Sequence, residues 1–568
     1  MLAQYNYVWR LLAFAFRANP LLYASLALSF VSVCIEIAAI GALQPLALLS
    51  SGQSVSDLFV PRTIAALGIQ VSLTSLTLCF LSLFLVRILT SLVSQGLAIY
   101  LGRRVLAQLG TGVFERLIRL TSLQEFQGKS VGHYVSLAGD EAARASSLVV
   151  AITQFGSSAL LCGLYFLAIV ALSPIVGAAV AAFLGICLFA LLGAFRKSHE
   201  LGNRSIEASR DAGSIFVDSI SGVRDLRAFN AEEFAISQYG LRVATIARLL
   251  FRIDFINVLA RLVPVLILLC FGFAMVLGYA GTSAPDVSFA VTLIVMLMRF
   301  FPVVGQSLNL LLRITADAKA GQDVTSFVQV VLPASRGHRG HARLDRVDRL
   351  EVLGLGFSYP GKPVLSNVNF TLARGKSYAL RGLSGAGKST IVDLLLAFQK
   401  PERGRILING QDIATFDEAA VRSRIVGLGQ QIAMFNDSVR NNLSLGAHFS
   451  DDQLYAVCRD AGIMDLVISL PNGLDSKLSF QGVNISGGQR QRVGIARALL
   501  RDADVFILDE STNALDEETK GLIVRNVLER YADRIVLFVT HDPFVVERVD
   551  EVIDLRTNDQ PVAGAARG

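Results

Sequence analysis

Six apolar stretches, each near the 20 residues that a helix needs to cross a bilayer, fill most of the first 320 residues of this 568-residue chain. They cover approximately 20–49, 73–100, 147–171, 173–195, 256–280 and 287–312. A region of this kind reads as a membrane α-helical domain of six spans. Charged residues make up only 17% of the chain, against about 25% in soluble proteins, and the deficit is concentrated in this part. From residue 350 onward, short β-branched runs alternate with helical patterns, as a parallel-sheet α/β domain requires. The reading is therefore a membrane domain over 1–320, a linker over 321–348, an α/β domain over 349–558 and a disordered tail over 559–568.

The links between spans differ by side. Leu172–Pro174 and Gly281–Pro285 are hairpin-like, whereas 103–146 and 196–250 are long and carry most of the Lys and Arg of this half. The positive-inside rule puts those long loops and both termini in the cytoplasm. The loops show few breakers and a helical apolar period. A 55-residue loop folded as two antiparallel helices would project roughly 40 Å. The N-terminal run around Trp9, Arg10 and Arg17 has no small-residue cleavage site and reads as an interfacial helix rather than a signal peptide. Cys34, Cys79, Cys162, Cys187, Cys270 and Cys458 form no CxxC pair and read as small buried hydrophobes. Net charge is +6, with no basic stripe interleaved with aromatics, which gives nucleic-acid binding no support.

Gly382, Ser384, Gly385, Gly387, Lys388, Ser389 and Thr390 form a GxxxxGK[ST] loop between an apolar strand, Tyr378–Arg381, and a helical run from Ile391. That is the context a phosphate loop needs. Its glycines let the backbone N–H groups face phosphates, and the helix N-terminus adds partial positive charge. Lys388 is placed to reach the β- and γ-phosphates of ATP, and Ser389 to hold Mg²⁺. Downstream lie the run Asn484–Arg492, which contains Ser486, Gly487, Gly488 and Gln489, and an apolar strand ending in Asp509 and Glu510.

In this order, behind six spans, these runs resemble a half-size ABC exporter, over about residues 10 to 558. The resemblance implies that Asp509 holds Mg²⁺ and that Glu510 activates the attacking water. It implies that Tyr359 stacks on adenine and that Gln430 contacts Mg²⁺ and water. His541 matches the switch histidine near the γ-phosphate, and Asp516 matches the loop that crosses a dimer interface. Ser486, Gly487, Gly488 and Gln489 match the signature that closes over ATP held by the opposite subunit. A chain with one cassette is thus expected to work as a domain-swapped homodimer, with a heterodimer left open. Ile485, Gly429, Asn513 and Asp542 depart from the family's usual residues, and none removes a group that touches phosphate or metal.

The runs Phe126–Asp140 and Asp218–Glu232 resemble the cytoplasmic turns of ABC exporters. The first span, with Glu36, Gly41 and Pro45, looks like that of bacterial flippases for lipid-linked oligosaccharides. Residues 55–67 read either as a short amphipathic surface helix, also seen in those flippases, or as a plain loop. Ionisable groups inside spans are costly and default to functional candidates. Glu36, Arg87, Arg261 and Arg299 qualify, with Arg313 nearer the cytoplasm. They read as an anion-handling cavity for a lipid pyrophosphate, or as an internal Glu36–Arg pair with arginines snorkelling to an interface. The expectation is ATP-driven export or flipping of a lipid-linked oligosaccharide or other anionic lipid across a bacterial inner membrane. Peptides, drugs or unmodified lipids as cargo are the alternative, and an ATP-gated channel is a rival from another class.

Overall fold

A computed structural model describes residues 6–41, 45, 49, 59–66, 70–119, 126, 128–279, 287–329, 343–359, 362–383, 385–430, 432–479, 484–510 and 515–555. The Gly281–Pro285 link, Ser384, Asn513 and the tail expected over 559–568 lie outside them. The chain divides into two compact units, with the boundary between Ser335 and Arg336.

The first unit is helical. It contains α1 (Asn6–Ala18), α2 (Leu21–Gly41), α3 (Phe59–Ala66), α4 (Leu73–Arg119), α5 (Val131–Leu172), α6 (Pro174–Ser221), α7 (Val223–Ala228), α8 (Glu232–Tyr279), α9 (Val287–Ala316) and α10 (Ala318–Gln329). Four helices among the described residues are long and apolar enough to cross a membrane: α2, α4, α5 and α9. α6 and α8 have 48 residues each, about 72 Å at 1.5 Å per residue, more than twice a hydrocarbon core of about 30 Å. Each therefore has length for one apolar span and a long polar extension. Phe59–Ala66 is helical, which decides between helix and loop for that stretch of 55–67. Residues 321–329, read as linker, belong instead to the amphipathic α10. Val324 of α10 is buried against Leu11, Leu109 and Val113. The polar run Ser335–Ala342 that suggested a linker lies outside the described residues.

Elementary signals set the helix ends. The Ser173 side chain caps α6 by accepting from the Val176 N–H, with Pro174 in the first turn, where its missing N–H costs nothing. Pro20 lies between α1 and α2, and the Asn19 amide donates to Gln108 Oε1 at 2.9 Å. Within lipid the hydrophobic effect gives helices no reason to associate, so close packing and hydrogen bonds join them. Ser25 and Ser94 each donate to the other's backbone carbonyl, at 3.1 and 2.9 Å, and Ser29 Oγ lies 2.6 Å from Ser94 Oγ. That joins α2 to α4.

Beyond the spans, charge replaces hydroxyls. After its first six residues, α5 passes through a π-turn at Leu137–Glu141, which places the fully buried Glu141 against α6. Arg210 of α6 donates to both Glu141 oxygens at 2.7 Å and to Asp323 of α10 at 2.5 Å. Gly132 lies so close to Gly213 and Ser214 that a Cβ there would meet backbone at 2.2 Å, so only glycine permits this approach.

The second unit has two sheets. β1 (Arg349–Tyr359), β2 (Lys362–Ala373), β4 (Arg403–Ile408) and β5 (Gln411–Asp412) form an antiparallel sheet in the order β2-β1-β4-β5. β3 (Lys376–Gly382), β6 (Ile425–Leu428), β7 (Val505–Asp509), β8 (Ile535–Val539) and β9 (Glu551–Leu555) form a parallel sheet in the order β6-β7-β8-β3-β9. Every residue of β7 and β8 is buried. Their near-continuous apolar runs follow from having both faces covered.

Arg210→Met would leave Glu141 as a buried charge without its partner. The expected loss is about 3–5 kcal/mol of stability, read as a large drop in the thermal midpoint of the full chain in lipid nanodiscs. A midpoint within a degree or two of the unmodified protein would show that the knot contributes nothing.

Candidate functional site

Four neighbouring strands of the parallel sheet deliver their functional groups at their carboxyl ends. Gln430 follows β6, Asp509 and Glu510 end or follow β7, His541 follows β8, and the phosphate loop follows β3. The strand order β6-β7-β8-β3 makes these ends adjacent. A crevice outside the carboxyl ends of parallel strands is where ligands bind in open α/β sheets.

The phosphate loop turns into α11 (Lys388–Leu395) through Gly387, whose φ is +86. A Cβ there would also come within 2.5 Å of the Leu365 side chain, so both backbone and space demand glycine. Gly385 is also at positive φ, +83. The Lys388 ammonium, largely buried, bonds the Gly382 and Leu383 carbonyls at 3.0 and 3.2 Å. It holds its own loop and can exchange those neutral acceptors for phosphate oxygens. Thr390 is buried behind the loop, whereas Ser389 is exposed at its mouth.

Asp509 is buried, and burial pushes its carboxyl above the usual range, opposed by a hydrogen bond from Ser389. Asp393 of α11 is pushed up to about 6, by burial first and by Asp509 second. A dication at Asp509 would relieve both effects. Ser389 and Asp509 are hard oxygen donors, and MgATP sites commonly use one or two protein oxygens with phosphates and waters completing the octahedron. The residues therefore fit Mg²⁺. Glu510 sits at φ +46, a left-handed conformation that is strained for a side chain of its size. Its N–H bonds the Val539 carbonyl at 2.9 Å, and its carboxylate accepts from Gln430 Nε2 at 3.1 Å. Gln430 and Glu510 are thus brought together. His541 is exposed one residue beyond the buried Thr540. Asp542 accepts from Phe544 N–H at 2.9 Å and pairs with Lys520 at 2.5 Å, which gives this departure from the family pattern a structural role. Tyr359 is half-buried at the end of β1, edge-on to Phe357.

Ser486, Gly487, Gly488 and Gln489 open α12 (Gly487–Leu499). Ser486 and Gln489 form a reciprocal capping box. Ser486 and Gly487 are exposed, so this helix start presents N–H groups to whatever approaches. Asp516 caps α13 (Glu517–Arg530) by accepting from Thr519 N–H at 3.0 Å. That bond holds its carboxyl below the usual range.

In the membrane unit, Glu36 is buried with both oxygens occupied. Arg87 pairs with one at 3.0 Å, and the Tyr165 hydroxyl donates to the other at 2.9 Å. Arg87 and Arg299 each lie 5.6 Å from the Phe84 ring centroid. Arg261 is apart from this group; with the Asn309 amide turned so that its oxygen faces the guanidinium, Arg261 Nη2 and Nε donate to it at 2.9 and 3.1 Å. Three of the four intramembrane candidates are therefore brought together. Tyr165 and Asp393 were missed from the sequence. A tyrosine inside an apolar span, needing a partner for its hydroxyl, was the available signal for the first. Nothing local marks the second. Lys388→Ala should raise the Kd for ATP by roughly 10- to 100-fold, the scale of one or two charge-assisted bonds. Equilibrium titration with a fluorescent ATP analogue measures this, and an unchanged Kd would remove Lys388 from the site.

Comparison with known proteins agrees with this geometry. Residues 23–304 match the ABC transporter transmembrane region, and residues 365–513 match the ABC transporter domain. A "Probable ABC transporter ATP-binding/permease protein" of Haemophilus influenzae is 28% identical over 467 residues, covering 80% of this chain and 83% of that protein. The "ATP-dependent lipid A-core flippase" of Escherichia coli is 39% identical over 208 residues, 36% of each chain. The match thus spans about a third of the flippase. A solved bacterial Atm1-family ABC exporter with ATP bound superposes with a TM-score of 0.75 at 22% identity, over 95% of this chain and 96% of that one, which supports the fold. With a transmembrane region and an ATP-binding domain in one chain, the protein belongs to the ABC transporter family as a half-size exporter, a membrane protein that couples ATP hydrolysis to transport.

Proposed function

We propose that two copies of this chain assemble in a bacterial inner membrane, with both termini cytoplasmic, and flip a lipid-linked oligosaccharide or other anionic lipid at the expense of ATP. The observation that carries the cargo reading is the charge left over in the spans. Glu36 and Arg87 neutralise each other. Arg261 and Arg299 are both exposed and have no carboxylate partner among the described residues. Exposed cations at such depth do not face acyl chains at low cost. They suit the wall of an aqueous cavity, and a guanidinium fork suits phosphate oxygens. The similarity to lipid A-core flippases over part of their length points the same way.

In this reading the phosphate loop, with Gly382, Ser384, Gly385, Gly387, Lys388 and Thr390, holds ATP, and Tyr359 stacks on its base. Mg²⁺ bound by Ser389 and Asp509, with Gln430 nearby, would neutralise phosphate charge. Glu510 takes a proton from the attacking water, Gln430 orients that carboxylate, and His541 lies where the γ-phosphate is expected. Ser486, Gly487, Gly488 and Gln489 donate N–H and hydroxyl groups to ATP on the second copy, near the crossing loop of Asp516. ATP favours the closed cassette pair because only that state makes both sets of bonds, and differential affinity is what moves the equilibrium. Closure turns the cavity outward, and hydrolysis resets it.

The test is reconstitution in liposomes. ATP-dependent loss of a lipid-linked oligosaccharide from the outer leaflet is expected where molecules insert with cassettes outside. Glu510→Gln should retain ATP binding and lose roughly 10²- to 10⁴-fold in turnover, the worth of a positioned general base, and flipping should vanish with it. Near-normal hydrolysis in this variant would remove Glu510 as the base. Arg261→Gln combined with Arg299→Gln should abolish cargo stimulation of the ATPase; unchanged stimulation would remove the anion reading. Robust ATPase without flipping would turn the search to peptides, drugs or unmodified lipids, and many ions passed per ATP would indicate a channel.

A further inference from the structure

A polar slot of about 160 Å³ opens between α2, α4, α5 and α9 within one copy. Its floor is buried and includes Ser25, Ser94 and Glu36. Its rim carries the exposed Gln95 and Gln306, with Gln154 and Ser157 half-buried between. Side-chain amides on a rim inside the spans are not solvated by lipid, so the slot calls for water or a polar ligand; Arg299 lies nearby, over the Phe84 ring. It has room for about five waters, or for one small ring.

The electrostatics of the slot are distinctive. Among the described residues that line it, the charged ones are Glu36 and Arg87, and they compensate each other at 3.0 Å. An anion entering here would meet the Glu36 carboxylate, and a cation would meet Arg87. What the slot offers is neutral hydrogen bonding. The amides of Gln154 and Gln306 have no hydrogen-bond partner among the described residues, and each presents donors and an acceptor. The Nε of Arg87 is buried and unpartnered. A hydroxyl both donates and accepts, which matches amides that do the same; a phosphate only accepts.

We infer that the slot is a subsite for an uncharged, hydroxyl-rich ring of the cargo, a sugar, and that the anionic part of the cargo stays outside it, beside Arg299. The inference rests on the reading that the membrane domain carries an amphipathic cargo. It assigns the selectivity of that cargo to its sugar rather than to its phosphate.

The test uses the full chain in nanodiscs, with hexyl β-glucoside and hexyl phosphate as probes and ATPase stimulation as the signal. Both amphiphiles should stimulate the unmodified protein. Gln154→Leu combined with Gln306→Leu should raise the half-saturating concentration of the glucoside roughly five-fold or more, the size that two neutral hydrogen bonds supply. The same protein should keep its response to hexyl phosphate, which also reports that it has folded. If that pair responds to neither probe, Ser157→Leu repeats the comparison, because among the described residues Ser157 bonds only its own helix, to the Thr153 carbonyl. A glucoside response untouched by slot variants overturns the inference. So does a phosphate response lost in step with the glucoside response in both sets of variants. Stimulation by hexyl phosphate alone overturns the sugar subsite and leaves the flippase reading intact. Stimulation by neither probe removes the amphipathic-cargo reading, and the subsite falls with it.

Discussion

The parallel pairing of β7 with β8 aligns Asp509 with Val539, and the Glu510 N–H then closes onto the Val539 carbonyl at 2.9 Å. This one register decides where the chemistry sits. It fixes the two carboxylates at the end of a strand buried on both faces, and it sets His541 two residues beyond the same rung. The pairing of β8 with β3 brings the phosphate loop alongside, and that of β6 with β7 brings Gln430. A one-residue slip of β7 would exchange the side chains packed on its two buried faces and withdraw Glu510 from Gln430. The strain of Glu510 at φ +46 persists because backbone and side chain are each held by a strand-end neighbour.

The membrane unit meets the opposite problem. With little water to solvate polar groups, each one inside the spans needs a protein partner or an aqueous face. Ser25, Ser29 and Ser94 satisfy one another across α2 and α4, and Glu36 is satisfied by Arg87 and Tyr165. Arg261 and Arg299 lack carboxylate partners, and Gln154 and Gln306 lack hydrogen bonds, among the described residues. Of these, Gln154 and Gln306 line one polar slot with Glu36 and Arg87. Beyond the spans, where water is available, Arg210 gathers Glu141 and Asp323 into a knot that ties α6 to α5 and α10.

Much of this was legible in the sequence because it is local. The phosphate loop, the signature helix start and the Asp509–Glu510 strand end are each set by residues within about ten positions, and the first and third end strands of one parallel sheet. The apolar runs marked the spans for the same reason. The intramembrane cluster was half legible: the cost of a buried Glu36 pointed to function, but the partner that fills its second oxygen, Tyr165, is 129 positions away. The Arg210 knot joins residues 69 and 113 positions apart, so no local pattern reveals it. The helical start of the expected linker was hidden because polar composition dominates its window, although Val324 and its neighbours pack as an amphipathic face. Asp393 reads as an ordinary helix residue until the fold sets it beside Asp509.

The central claim is that an ATP site is completed by the signature residues of a second copy. The decisive measurement mixes two inactive chains, one with Lys388→Ala and one with Gly488→Asp, and follows ATP hydrolysis after co-reconstitution. The new carboxylate of the second variant would occupy the place of a phosphate, at a helix N-terminus that tolerates negative charge. Each chain alone is expected to be inactive. A mixed dimer pairs the intact phosphate loop of one chain with the intact signature of the other, so the mixture should regain a fraction of the unmodified activity. Hydrolysis that stays at the level of the separate variants would contradict the shared site and with it the account of coupling.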